Sequence, residues 1–480
     1  GGYNHWATAG FFGRLNYNYK EKYLLEVNGR YDGTSRFMKD QRWNFFPSFS
    51  LGWNVARENF WKPLESVVNQ FKLRGSWGEL GNQNTSNLYP FYEILPVKSN
   101  SGNWLVNGGK TNTADIPSLV STLLTWERVR SFNVGFDFGA FSNRLTGSFD
   151  YFVRKTVDMV GPAPQLPLVL GIAPAIVNNA DMKSYGFEIE LSWRDRIGEV
   201  DYGVKFNLAD AQQKVVKYPN TTNAFSDWYA GKMSGEIWGY TSLGIAKTDE
   251  EMKEHLASLP NGGQNQLGNK WGAGDIMYAD INGDGKVDGG KGTLADPGDQ
   301  RIIGNSTPRY NFGLVLDASY KGFDVSIFFQ GVGKRDYAPI VGTNGAVFWG
   351  AVNNIWQSMA MEEHFDYFRP EGHPMGANLN GYYPRPDFTS NKNHQVQTRY
   401  LQDASYIRLK NLQIGYTLPK QWINKLHINR CRVYVSGDNL WTGTSLASMF
   451  DPETLAAGDW GSGKTYPLSK VISFGLNVNF

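Results

Sequence analysis

The chain has 480 residues, more than one ordinary soluble domain holds, with 15% aromatic residues, 54 glycines and only 19% charged residues. This composition is typical of a strand-rich protein with many turns. No apolar run reaches the length of about 18 residues that a membrane-spanning helix needs, which excludes helical spans. A net charge of +2 without a basic stripe indicates no nucleic-acid binding. The single cysteine, Cys431, excludes an internal disulfide and is predicted to be a small apolar strand residue.

Apolar residues alternate with small or polar ones through the first half of the chain, and this period predicts strands. In chain order these strands occupy residues 13–19, 23–31, 44–56, 71–77, 132–138, 145–153, 187–194 and 200–208. A short helical turn is predicted at 58–68, and the polar residues 81–124 are expected to form a loop. Charges at alternating positions, such as Glu26 and Arg30, suit a water-filled lumen better than a dry core.

The second half of the chain repeats the pattern. Strands are predicted at residues 312–320, 323–329, 406–418, 428–439 and 466–480, with a bulge near Asn411 and a helical turn at 418–427. Residues 237–246 also alternate, but a spanning strand there would disturb the order of short and long connections. We therefore assign that stretch to a loop region.

The connections between these predicted strands alternate between tight turns and loops of tens of residues. About thirteen strands of near ten residues with this asymmetry predict an all-β fold, an antiparallel transmembrane β-barrel whose apolar rows face lipid. Residues 1–480 are interpreted as barrel, with residues 211–307, 335–403 and 440–467 as long extracellular loops. The short turns and the C-terminus are then placed in the periplasm.

The last strand carries the pattern most clearly. A strand of a soluble β-sandwich would alternate in the same way, but recurrence along the whole chain favours the barrel. Its apolar side chains are Ile472, Phe474, Leu476, Val478 and Phe480.

An oxygen-rich motif within residues 280–299 resembles a calcium loop. Its first nine residues offer Asp280, Asn282, Asp284, the carbonyl of Lys286, and Asp288 at calcium-ligand positions, with a glycine at the turn. Lys291 replaces the usual last carboxylate; Asp299 fills that role if residues 289–298 are an insertion, and Asp296 is the weaker candidate. A metal-free, Asx-rich turn is the alternative. We expect a structural calcium ion without catalytic function.

No group of residues indicates catalysis. The six histidines are scattered, and each is expected to be solvated at the surface. Glu188 and Glu190 share a strand face as an acid–base pair does, but they have no nearby nucleophile and are expected to line the lumen. Loop aromatics either stack on sugar rings, contact a lid protein or pack internally: Trp104, Trp228, Tyr229, Trp349, Trp356, Tyr382 and Tyr383.

Several stretches resemble the C-terminal half of SusC/RagA-type TonB-dependent outer-membrane transporters, typical of Bacteroidetes. They are residues 71–78, 280–288, 299–308, 322–331, 406–419 and the last strand, and they follow the family's order over nearly the entire chain. In that family an acidic residue before Arg-x-x-Gly closes the calcium-like loop, which favours Asp299. The residues inserted before it depart from the family's pattern.

The resemblance implies a plugged barrel of about 22 strands, of which this chain supplies the last thirteen. Since the chain opens Gly-Gly-Tyr without Met or signal peptide, and a barrel needs export, we expect it to be the later part of a longer protein. The plug domain and TonB box are expected in the missing N-terminal part. Another part of the protein must pair the two open sheet edges.

The implied function is energised import of a glycan or peptide across a Gram-negative outer membrane. The implied partners are a SusD-like lipoprotein as lid, the TonB complex through the N-terminal part, and surrounding lipid and lipopolysaccharide. A dimer of transporter–lipoprotein pairs is also compatible. Phe474, Leu476, Val478 and Phe480 resemble the signal that the barrel-assembly machinery reads. The alternatives are a passive porin-type channel and a secreted all-β carbohydrate-binding protein.

Overall fold

The computed structural model of the chain describes residues 3–85, 87–161, 169, 171–172, 174–339, 346–350, 360–387, 390–424, 427–455 and 466–480. Within them the chain divides into two compact units. Unit 1 contains residues 1–189, 211–222 and 227–233, and unit 2 contains residues 190–210, 223–226 and 234–480. Among the described residues, no helix combines the length and hydropathy needed to cross a membrane.

Long antiparallel strands make up most of unit 1. In chain order they are β1 Thr8–Tyr19, β2 Tyr23–Thr34, β3 Trp43–Asn54, β4 Val68–Asn82, the two-residue strands β5 Val97–Lys98, β6 Leu105–Val106, β7 Gly109–Lys110 and β8 Thr113–Ala114, then β9 Glu127–Ala140, β10 Leu145–Gly161, β11 Val177–Ile197 and β12 Val200–Lys217. The last two strands continue into unit 2. Short 3₁₀ turns lie at Lys39–Gln41, Val55–Arg57 and Asn59–Leu64.

Unit 2 adds both short and long strands. They are β13 Glu236–Gly239, β14 Ser242–Ile245, β15 Ile276–Tyr278, β16 Arg301–Asn305, β17 Arg309–Tyr320, β18 Phe323–Lys334, β19 Asp336–Tyr337, β20 Gln402–Asp403, β21 Tyr406–Thr417, β22 Arg430–Thr444 and β23 Val471–Asn479. The helices are α1 Asp249–Ala257, α2 Ala346–Trp349 and α3 Lys420–Ile423, with 3₁₀ turns at Glu362–Phe365 and Thr398–Tyr400.

One sheet contains thirteen of these strands, ordered as they occur in the chain: β1–β4, β9–β12, β17, β18 and β21–β23. The all-β prediction and the number of long strands are therefore confirmed. Residues 237–246 form β13 and β14, which pair with β16 and β15 in separate two-stranded sheets, so their exclusion from the main sheet is also confirmed.

Connection length alternates along the main sheet in unit 2, and in unit 1 the connections after β1 and β9 are short whereas the one after β4 is long. In unit 2 the short connections follow β11, β17 and β21, and the long ones follow β12, β18 and β22. Lys321 and Gly322 join β17 to β18 with φ of 46° and 91°, the left-handed pair that a two-residue hairpin requires. We call the two ends of the strands the short-turn end and the long-loop end.

Side chains alternate between the two faces of the sheet as period two requires. One face is apolar yet exposed: on β23, Phe474 is 83% exposed. The predicted bulge on β21 is confirmed, because Phe328 pairs with Asn411 and Phe329 with Leu409, which leaves Lys410 unpaired. Cys431 is buried on β22 with a free thiol, as predicted.

Two strands run further than their apolar alternation predicts. β11 begins at Val177 rather than near residue 187, and β12 continues to Lys217, inside the segment predicted as loop 211–307. The added residues are mostly polar, so they carry no alternating signal. Backbone hydrogen bonding does not depend on side-chain polarity, so a strand can continue where the apolar alternation stops.

Candidate functional site

The polar face of the sheet in unit 1 carries a charge network. Arg74 on β4 donates to Asp137 on β9 at 3.1 Å and to Asp150 on β10 at 2.5 Å. The three side chains come from neighbouring strands near the short-turn end. One guanidinium between two carboxylates holds these three side chains together on the polar face of the sheet and leaves them accessible to water.

Unit 2 has a corresponding network that tethers its last long connection. Arg408, buried on β21, contacts Asp451 at 2.9 Å and Glu453 at 3.2 Å, and Lys410 contacts Glu453 at 2.8 Å. The backbone carbonyl of Pro452 accepts a hydrogen bond from Arg335 at 3.1 Å. The segment 451–453 is therefore held against strand side chains instead of extending into solvent.

The long connections of unit 2 pack into a core of their own, which we call the loop core. Tyr278, Phe348, Trp349, Tyr383 and Tyr400 form its centre, with ring centroids of Trp349 and Tyr400 4.8 Å apart. Burial of large aromatic side chains stabilises such loops by about 2 kcal/mol each. The long connections of unit 2 therefore form a folded, packed region.

A buried charge cluster lies beside the loop core. The carboxylate of Asp275 accepts hydrogen bonds from Lys392 Nζ at 2.9 Å, Asn393 Nδ2 at 2.9 Å and two atoms of Arg385 at 2.6 and 2.8 Å. Asp275 and Lys392 are almost completely buried. Nothing in the local sequence indicated this pairing, since the partners are separated by more than a hundred residues.

The predicted calcium loop folds around Asp299. Asp299 Oδ1 accepts a hydrogen bond from the Ile281 amide at 2.7 Å, and Oδ2 accepts one from the Asp288 amide at 2.8 Å. Asp280 accepts hydrogen bonds from the amides of Gly283 and Gly285. Asp296 instead closes the neighbouring turn through its backbone carbonyl. Asp299 is therefore the carboxylate inside the loop.

A positively charged side chain of the loop itself, that of Lys286, already contacts two of the loop's carboxylates. The ammonium group of Lys286 bonds to Asp288 and lies 3.8 Å from Asp284 Oδ2. This hydrogen bond lowers the pKa of Asp288, whereas burial raises the pKa of Asp299. Among the described residues, no three Asp, Glu, His or Cys side chains form a metal-binding group.

The donor set nevertheless fits a hard cation. Asp280, Asn282, Asp284, Asp288 and Asp299 offer side-chain oxygens, and Lys286 offers its carbonyl, as calcium requires. Asp299 is buried with its carboxylate held by backbone amides, and a divalent ion bound there would further offset the cost of burying its charge. The sequence located the oxygens but did not indicate the competing ammonium group.

The histidine prediction is wrong at two positions. His364 and His394 are buried, His394 with its ring centroid 4.6 Å from that of Trp349. Tertiary packing of the loop core, which leaves no periodic signal in the sequence, covers both rings. Burial lowers the pKa of His394 to about 4.

The other candidate side chains have mixed surroundings. Glu188 and Glu190 are exposed two residues apart on β11, and Trp104 and Trp228 are exposed. Tyr229, Trp349 and Tyr383 are buried and Tyr382 packs against the loop core, so internal packing accounts for these four. Trp356 lies outside the described residues.

Known proteins share this architecture. Residues 3–440 match the family described as TonB dependent receptor-like, beta-barrel. TonB-dependent receptor P3 of Formosa agariphila is 30% identical over 99% of this chain and 46% of its own length. TonB-dependent receptor SusC of Bacteroides thetaiotaomicron is 24% identical over 99% and 44%. The chain thus spans less than half the length of these curated relatives.

Solved structures agree on the fold. The structure of the RagAB peptide transporter superposes with a TM-score of 0.74 at 23% identity, covering 99% of this chain and 48% of that chain. The same importer in its closed-closed state gives a TM-score of 0.71 at 23% identity, covering 99% and 48%. The resemblance to SusC/RagA-type proteins is confirmed. The chain belongs to the TonB-dependent receptor-like β-barrel family, a family of receptors and not of enzymes.

Proposed function

We propose that this chain forms the C-terminal part of the wall of an energised importer in a Gram-negative outer membrane. The exposed apolar face of the sheet carries this proposal. An apolar row in water would cost about 25 cal/mol for each Å² left exposed, whereas lipid removes that cost. The opposite face, with ion-paired Arg74 and Arg432, suits a wet lumen.

The long-loop end is then the extracellular end, and the C-terminus lies in the periplasm. The folded loop core supports this placement, because barrels of this kind carry their long loops outside. A SusD-like lipoprotein docked on these loops would act as the lid, and the TonB complex would act through an N-terminal plug. TonB-dependent receptor SusC and the RagAB peptide transporter support these partners by analogy.

The substrate is proposed to be a glycan or peptide too large for diffusion through a porin. RagAB is described as a peptide transporter, which supports the peptide option for this chain. Exposed Trp104 and Trp228 suit stacking on sugar rings, which supports the glycan option. Glu188 and Glu190 are proposed to line the lumen.

Calcium is proposed to bind at residues 280–299 and to rigidify the extracellular loops. Asp280, Asn282, Asp284, Asp288, Asp299 and the Lys286 carbonyl would hold the ion. The Lys286 ammonium group would leave Asp288 on binding, since both cations need the same oxygens.

Uptake by cells that produce the full-length receptor tests the function. Labelled oligosaccharides and labelled oligopeptides are compared in cells with and without the gene, before and after dissipation of the proton-motive force. We expect uptake of one class to require both the gene and the force. Gene-dependent uptake that persists without the force would instead identify a passive porin. Extraction of the folded protein without detergent would identify a soluble protein.

A further inference from the structure

Three basic side chains form a cluster on the apolar face of unit 1. Arg128 and Arg130 lie on β9 and Lys155 on β10, and the register places Lys155 directly opposite Arg130. Period two puts them on the same face as Phe132 and Tyr151, which are exposed. They lie at the ends of β9 and β10 remote from the turn at 141–144, which is the long-loop end.

The cluster is only partly neutralised. Glu79 on β4 lies opposite Arg130 and accepts a hydrogen bond from its Nε at 3.0 Å. The same carboxylate bonds to Arg128. In the part of the chain that the structure describes, Lys155 is exposed and forms no ion pair. Three cations against one carboxylate leave a local charge of +2.

This arrangement is unfavourable for the isolated sheet. Like charges directly opposite each other on paired strands destabilise the pairing. Arg130 and Lys155 are such a pair, and Glu79, the acid that pairs with Arg130, already serves two guanidinium groups. An anion above Lys155 and Arg130 would convert the repulsion into two charge-assisted hydrogen bonds.

We propose that Arg128, Arg130 and Lys155 bind the phosphorylated headgroup of a membrane lipid in the leaflet around the long-loop end. The inference rests on the proposed function, in which the apolar face meets lipid. Phosphate matches the planar donor fork of Arg. The acyl chains of the same lipid would continue along the adjoining apolar row at Phe132 and Val134, so headgroup and tails have adjacent, complementary surfaces.

Lipid retention by the full-length receptor tests this site. The receptor is placed in nanodiscs of phosphatidylethanolamine with either bis-phosphorylated lipid A or its dephosphorylated form, and lipids retained after mild detergent are counted by native mass spectrometry. We expect preferential retention of the phosphorylated form. Lys155→Ala should weaken it about five-fold, and Lys155→Arg should preserve it.

Arg154→Ala is the matched control. Arg154 is the next residue on β10, is also exposed and carries the same charge, but it lies on the opposite face across from Ser131. Equal retention by wild type and Lys155→Ala, or an equal loss in Arg154→Ala, would overturn the proposal. Displacement of lipid A by inorganic phosphate at equal concentration would also overturn it, in favour of a free-anion site.

The outcome is separable from the proposed function. Failure of the wild-type receptor to enter nanodiscs as a heat-modifiable barrel would refute the membrane placement itself. Normal incorporation without phosphate-dependent retention would refute only the lipid site. The same mobility assay confirms that each variant is folded.

Discussion

Asp275 Oδ2 and Lys392 Nζ lie 2.9 Å apart, and both side chains are at most 1% exposed. The pair joins two of the long connections of unit 2 beside the loop core. The Asp275 carboxylate is also ion-paired with Arg385 at 2.6 Å, and Lys392 lies 3.8 Å from Asp387, so several ion pairs and fixed polar neighbours compensate the two buried charges. Such a pair contributes mainly by making every alternative arrangement of the loops unfavourable.

Substitution Asp275→Ala should therefore loosen the loops of unit 2 by about 3 kcal/mol, because it leaves a buried ammonium group without its carboxylate. Amide hydrogen exchange in peptides covering residues 272–278 and 385–397 measures the loss. Asp115→Ala is the control, since its partner Lys98 is exposed and their ion pair is worth less than about 1 kcal/mol. Comparable exchange in the two variants would contradict a structural role for the buried pair.

Calcium should slow exchange in residues 280–299. At a calcium concentration a hundred times the dissociation constant, the stability of the folded loop should rise by about 2.7 kcal/mol. Asp299→Asn should abolish this response, because Asp299 occupies the interior of the loop. Asp296→Asn should leave it intact. A wild-type loop indifferent to calcium, or the reverse order of the two variants, would favour the metal-free turn.

Acidification should destabilise the loop core through His394. Its folded pKa of about 4 lies below the usual value of 6.5, so between these limits the unfolded loop binds more protons. The stability is fully present above about pH 6.5 and falls by up to about 3 kcal/mol as the pH drops towards 4. Nearby Asp387 opposes this shift without reversing it.

His394→Phe should flatten that pH dependence, since the ring can still pack on Trp349 but no longer titrates. Exchange in loop-core peptides is compared at pH values from neutral to about 4.5 in wild type and variant. The exposed His427, changed to Asn, provides the control. The same pH profile in wild type and His394→Phe would show that carboxylates alone govern acid sensitivity.

The sheet could be predicted from sequence because period two is a local property. Residues such as Phe474 and Leu476 on β23, or Phe136 and Phe138 on β9, report their face through their neighbours alone. The bulge at Lys410 was likewise visible as a local slip in the alternation. β11 and β12 continue as strands beyond the residues whose apolar alternation predicts them, so their full length could not be predicted from the local pattern.

The loop core could not be predicted in the same way. Asp275 meets Lys392, and Trp349 meets His394 and Tyr400, only after long connections have folded together. Such contacts leave no spacing pattern in the chain. The calcium-like loop is intermediate: its oxygens lie within one short motif, but the intrusion of the Lys286 ammonium group depends on the folded geometry.

Removal of Phe480 should reduce the amount of assembled receptor in the outer membrane several-fold without changing the stability of receptor that does assemble. Phe480 is 84% exposed and follows β23, an edge strand of the sheet, so its deletion removes no packing contact from a core. The expected defect is thus one of recognition during assembly, by the barrel-assembly machinery that we propose reads Phe474, Leu476, Val478 and Phe480. Heat-modifiable mobility of membrane fractions gives the assembled amount, and thermal unfolding of the purified barrel gives its stability.

Phe60→Ala, which removes another exposed aromatic side chain near the short-turn end, should change neither. Undiminished assembly after the deletion would show that the terminal aromatic is not read. A fall in the unfolding temperature of the purified barrel that accompanies the loss of assembly would mean that Phe480 acts through packing instead.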